Sequence, residues 1–223
     1  METADAAAAA ERGGAQRIEL CAELSLGGLT PSEELMRRVR ELVRVPIFAM
    51  IRPRAGDFVY SLDEVSQMRR DIAAAKQAEM DGIVLGVLTK DRRVDVERTR
   101  DLVKMAEPLP VTFHRAFDEV VDLDAALEAV IETGSARILT SGGAPTAPQG
   151  LGALAKLVAA AGNRITIVPG SGISASNILE VAQRTQAREL HSGLGTRIPY
   201  GSRNGALFED EVRKMEHILA RRV

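Results

Sequence analysis

Short apolar runs alternate with longer amphipathic stretches along most of the chain. The apolar runs predict strands at 17–21, 46–52, 82–88, 111–117, 137–141, 165–169 and 189–191. The stretches between them repeat apolar positions at helical spacing and predict helices at 32–43, 63–79, 95–106, 123–133, 152–161 and 175–185. Strands alternating with helices of this length imply βαβ units and a parallel sheet. Crossovers are right-handed, so the repetition curls toward a closed barrel or an open doubly wound sheet.

Boundary residues support these elements. Pro31, with Glu33 close behind it, opens a helix. Ser61 followed by Glu64 reads as a capping box. Gly82, Gly134 and Gly162 each follow a helix and precede a strand, as glycines that stop helices do. No Pro/Gly/Ser-rich linker divides the sequence, so one domain over 1–223 is expected. A closed barrel needs about eight strands, and the pattern supplies one fewer. The chain opens on Ala6–Arg12, already helix-like. The expected fold is therefore α/β, a TIM-type (β/α)8 barrel lacking its first strand in this chain. An upstream strand is expected to feed that helix. Without one, the seam is expected to lie open or to be filled by a partner chain, and a homo-oligomer is expected.

Strand parity sorts side chains into two faces. Ile18 and Leu20 should face the helices, which turns Glu19 and Cys21 into the barrel. The same alternation sends Met50, Arg52, Thr112, His114, Asp118, Glu189 and His191 inward.

Composition narrows the function classes. The net charge of −2 leaves no basic footprint for nucleic acid and no polybasic membrane patch. Aromatics are 3% of the chain, too few for base-stacking platforms. The run Ala6–Ala10 is short, flanked by Asp5 and Glu11, and preceded by no basic segment, unlike a secretory signal. No apolar stretch reaches the roughly 18 residues of a membrane helix. The single cysteine excludes an intrachain disulfide and fits a reducing, cytoplasmic setting.

Charge gathers at two strand ends. Arg52, Arg54 and Asp57 follow the strand at 46–52, and His114, Arg115 and Asp118 end the one at 111–117. Active sites of such barrels sit at these ends. The planar guanidinium suits carboxylate or phosphate. Arg52, Arg54 and Arg115 therefore form a candidate anion site, or an ion-pair network with Asp57, Asp118 and Glu19. His114 and His191, with Asp118 or Glu19 nearby, are candidates for moving protons or holding a metal. Gly170, Ser171 and Gly172 form a turn that seats a phosphate in many barrels, or is a plain tight turn. Ser141 belongs to a third glycine-rich turn on the same rim. Cys21 and Met50 are soft atoms suited to Cu(I), or ordinary core residues.

Five stretches resemble the CutC copper-homeostasis family. They are Gly14-Ala15-Gln16-Arg17-Ile18-Glu19-Leu20-Cys21; Gly27-Gly28-Leu29-Thr30-Pro31-Ser32; Ile51-Arg52-Pro53-Arg54-Ala55-Gly56-Asp57-Phe58-Val59-Tyr60-Ser61; Val111-Thr112-Phe113-His114-Arg115-Ala116-Phe117-Asp118; and Arg137-Ile138-Leu139-Thr140-Ser141-Gly142-Gly143. The resemblance implies a TIM-type barrel, a cytoplasmic setting and copper binding in copper homeostasis. The family's opening strand, which often carries a cysteine, is missing. Asp91-Arg92-Arg93 replaces the usual Asp-Gly turn. The alternative drawn from the residues is a barrel enzyme acting on a small phosphorylated or carboxylated molecule. The expected partner is thus a copper ion or a small anion.

Overall fold

The computed structural model describes residues 1–194 and 205–221. Six strands form one parallel sheet in sequential order: β1 (Ile18–Leu20), β2 (Ile47–Met50), β3 (Gly82–Leu85), β4 (Val111–Phe113), β5 (Arg137–Thr140) and β6 (Thr166–Pro169). The helices are α1 (Ala4–Arg12), α2 (Glu33–Leu42), α3 (Leu62–Gln77), α4 (Val96–Ala106), α5 (Leu123–Glu132), α6 (Leu151–Ala161), α7 (Ile178–Thr185) and α8 (Gly205–Ala220). The sheet curls into a partial barrel, as the alternation of strands and helices predicts.

Caps explain where the helices begin. Ser32 Oγ accepts from Leu35 N–H, and Asp95 accepts from Arg98 N–H. Ser61 and Glu64 form the reciprocal capping box. Helix α7 starts three residues later than expected, because Ser174 N–H first donates to Asn177 Oδ1 at 2.9 Å.

Parity holds through the sheet. Ile18, Leu20, Ile47, Ala49, Ile83, Leu85, Val111, Phe113, Ile138 and Ile167 join the helices in one hydrophobic core. The opposite faces of the strands turn into the barrel. Gly134 and Gly162 take positive φ after their helices. Gly82 does not: Glu79, at φ 56°, makes the left-handed turn instead. Gly82 is small for another reason. A Cβ there would lie 2.5 Å from the Phe48 ring. That ring is held under Arg17 and Arg137, whose Cζ atoms are 5.1 and 5.4 Å from its centroid. Glu189 Oε2 joins the two guanidiniums at 2.8 and 3.0 Å. The ring has nowhere to go, so Gly82→Ala is expected to cost about 1–3 kcal/mol by overpacking. A urea unfolding midpoint equal to that of the parent would refute this.

The expected strand at 189–191 is not formed. His191 N–H donates to Pro169 O at 2.9 Å, but no ladder follows. A segment beside the seam has a neighbouring strand on one side only, and one bond does not make a ladder. Across the seam, the Met1 amine donates to Glu19 O at 2.6 Å, and Cys21 N–H donates to Met1 O at 2.9 Å. This is the bonding step of a parallel pair, so Met1 covers one position of the β1 edge. Helices α1 and α8 pack together outside it. No described helix is long and apolar enough to cross a membrane.

Candidate functional site

A cavity of about 700 Å³ runs along the barrel interior and into the seam. Glu19, Cys21, Met50, Arg52, His114, Arg115, Ser171, Gly172, Glu189 and His191 all line it. The parity reading thus brings most of its inward residues to one space.

Arg52 follows β2 and is 6% exposed. Its Nη1 donates to Leu26 O at 2.9 Å and Gly28 O at 3.3 Å, and its Nη2 to Gly56 O at 2.8 Å. Its Cζ lies 4.7 Å from the Phe58 ring centroid. Its partners are carbonyls and a ring rather than a carboxylate. Its Nε is buried without a partner. Gly27 makes room for it: a Cβ there would lie 2.9 Å from Nη1.

His114 follows β4 and is 3% exposed. Its Nδ1 accepts from Ala116 N–H at 3.2 Å, which places the proton of the neutral ring on Nε2. Burial, with the Arg52 charge adding to it, pushes its pKa down to about 3. His114 is therefore a neutral N–H donor near pH 7. Its Nε2 is buried without a partner, and its ring centroid is 4.8 Å from that of Phe58. Gly86 admits the imidazole, since a Cβ there would lie 2.6 Å from Nδ1.

Glu19 and His191 face each other across the seam, with Oε2 and Nδ1 3.4 Å apart. Glu19 Oε1 is buried and unpartnered. Cys21, 5% exposed, has its pKa raised by burial, against the opposing pull of the N-terminal amine 4.0 Å from Sγ. Cys21 and Met50 both border Gly28. A Cβ there would lie 3.5 Å from Cys21 Sγ and 3.6 Å from Met50 Cε. Among the described residues, no group of three or more His, Cys, Asp or Glu is placed to hold a metal ion. The soft pair of one thiol and one thioether fits Cu(I) in low coordination and does not fit a closed zinc-type site.

Other residues stand elsewhere. Arg54 points into its own loop, to Glu64 at 2.5 Å, Asp57 at 2.8 Å and Val59 O at 2.8 Å. The bonds to Asp57 and Glu64 raise its pKa and lower that of Asp57, while Glu64 is held low by the Ser61 N–H and then by Arg54. Arg54 and Asp57 do not line the cavity. Asp118 does not reach it either. It lies in a 3-10 turn, Arg115–Glu119, and accepts from Thr140 Oγ1, Ser141 N–H and Gly143 N–H. Arg115 reaches the rim but is tied to Asp118 at 2.7 Å and Ser141 Oγ at 3.0 Å. Ser141 is fully buried in that knot. Ser171 and Gly172 line the mouth, whereas Gly170 does not. The residues missed by sequence reasoning are Gly27, Gly28, Phe58 and Gly86. Three were quoted within motifs, but their role is shape, which residue type alone does not announce.

Fold and site together define a TIM-like α/β protein with a cavity along its barrel interior and seam. The family model described as "CutC family" matches residues 1–196. A family protein CutC of Vibrio vulnificus (strain YJ016) is 49% identical over 208 residues, 89% of this chain and 83% of the relative. The copper homeostasis protein cutC homolog of Homo sapiens is 46% identical over 191 residues, 86% of this chain and 70% of that protein. A solved CutC structure from Streptococcus agalactiae superposes with TM-score 0.76 at 33% identity, covering 79% of this chain and 88% of the other. The thiamine phosphate pyrophosphorylase of Pyrococcus furiosus, at 18% identity and TM-score 0.64, shares the fold alone. The chain belongs to the CutC family.

Proposed function

We propose that the protein serves copper homeostasis by holding Cu(I) as cargo between Cys21 and Met50. The placement of both side chains beside Gly28, on the wall of a large cavity, carries the reading. Thiolate and thioether are the ligands Cu(I) prefers. The chemistry belongs in a reducing compartment, which the lone cysteine and the cytoplasmic expectation share.

The test is an anaerobic Cu(I) titration against a competing chelator. Cys21→Ser is expected to lose more than the roughly 10–100-fold that removal of an outer-shell partner costs. Met50→Leu should weaken binding less. Burial raises the Cys21 pKa, so the thiol must shed its proton on binding. Apparent affinity should therefore rise with pH, by up to about tenfold per unit below that pKa. Unchanged affinity in Cys21→Ser would overturn the site.

A further inference from the structure

We propose that the same cavity holds a second site, for a small molecule carrying an oxyanion and a hydroxyl group, built from Arg52, His114 and Glu19. The copper reading is not needed for it.

The argument begins with what the three side chains lack. Arg52 is a buried cation whose partners are carbonyl oxygens and the Phe58 ring, with the neutral Tyr60 hydroxyl beside it. Carbonyls satisfy its N–H groups but do not neutralise its charge. Its Nε–H is buried and has no partner. His114 adds a second buried donor, Nε2–H, also without a partner. Its other nitrogen is committed to Ala116 N–H, so this donor is fixed. Arg52 and His114 both contact Phe58, with separations of 4.7 and 4.8 Å to its ring centroid. Two donors, one fully charged, thus gather about one aromatic wall, and all three residues line the cavity. Such a pair selects a negatively charged oxygen. Because the imidazole is neutral, it brings no positive charge to repel the guanidinium.

Glu19 sets the other end. Its Oε2 faces His191, and its Oε1 is buried and unpartnered. A carboxylate accepts and does not donate. It repels a bare anion and welcomes a hydroxyl. The ligand must therefore present its charge to Arg52 and His114 and a hydroxyl to Glu19. The cavity volume lies in the range of small-molecule sites. Arg54, absent from the lining, has no part in the site.

Calorimetry and imidazole NMR of the full metal-free chain test this. The probes are glycerate and glycerol 3-phosphate, at millimolar concentration. Glycerol, lacking the charge, and acetate, lacking the hydroxyl, are the controls. Saturable binding of at least one probe is expected, with movement of the His114 Nε2–H signal and weaker response to both controls. Glycerate alone would assign a carboxylate ligand; glycerol 3-phosphate alone, a phosphoryl ligand. Arg52→Gln should weaken binding about tenfold or more, while Arg54→Gln leaves it unchanged. Because the chain is metal-free, binding of either probe here is read independently of the copper reading. If Arg52→Gln fails to fold, the His114 signal of the parent decides. No movement with either probe, or undiminished binding by folded Arg52→Gln, overturns the proposal.

Discussion

Asp118→Ala is expected to destabilise the fold by about 2–5 kcal/mol, because it leaves buried donors without partners at about 1–3 kcal/mol each. The Asp118 side chain is 7% exposed. Its Oδ1 accepts from Thr140 Oγ1 at 2.5 Å, Ser141 N–H at 3.0 Å and Gly143 N–H at 3.0 Å. Its Oδ2 accepts from Arg115 Nε at 2.7 Å and lies 3.0 Å from Ser141 Oγ. One carboxylate therefore satisfies the loop after β5 and ties it to the turn after β4. Alanine leaves Thr140 Oγ1–H and Ser141 N–H, both on buried residues, with nothing to bond, and each orphan carries its desolvation penalty. Arg115→Ala is the comparison. That side chain is 42% exposed, water screens its half of the pair, and its loss should cost less. Urea unfolding of both variants checks the order. A loss below about 1 kcal/mol in Asp118→Ala, the worth of one ordinary hydrogen bond, would show that the loop does not depend on this knot.

Acid should weaken the fold through His114. In the unfolded chain the imidazole titrates near pH 6.5, and in the folded protein at about 3. Between those values the unfolded chain binds a proton that the folded one refuses. Stability from this residue is complete above about pH 6.5 and falls by about 1.4 kcal/mol per pH unit toward the folded pKa. Carboxylates titrate in the same range, so a single pH profile does not isolate the effect. Subtracting the profile of His114→Gln does. The stability difference between parent and variant should shift by about that slope as pH falls from 6.5 to 4.5. Parallel profiles would mean that His114 is solvated or protonated in the native state.

Much of the fold was legible because each element carries its own signal. Ser32, Ser61 and Asp95 cap the helices they precede. Alternation along 17–21 and 46–52 placed Glu19, Met50 and Arg52 on the inner face, where they stand. The stretch 189–191 failed because its apolar pattern is local, whereas a strand needs neighbours that the pattern does not encode. Gly82, between helix and strand, reads as a helix stop, but Glu79, an unusual residue at positive φ, makes that turn. At the site, the charges were read as one cluster. Sequence spacing cannot tell Arg52, which turns into the lumen, from Arg54, which folds back on Asp57 and Glu64. Two positions apart on an extended chain, they would share a face; the loop after β2 ends that rule. Phe58 and Gly86 matter through the room they fill or leave, and only packed coordinates display that.

Gly27 and Gly28 join two chemistries at one turn. The first abuts the Arg52 guanidinium, the second abuts Cys21 and Met50, and both stand at φ 89°. A side chain at either position meets backbone strain as well as a crowded neighbour. In evolutionary terms, the sulfur pair and the arginine cannot drift apart freely. Replacing this dipeptide would disturb both groups at once.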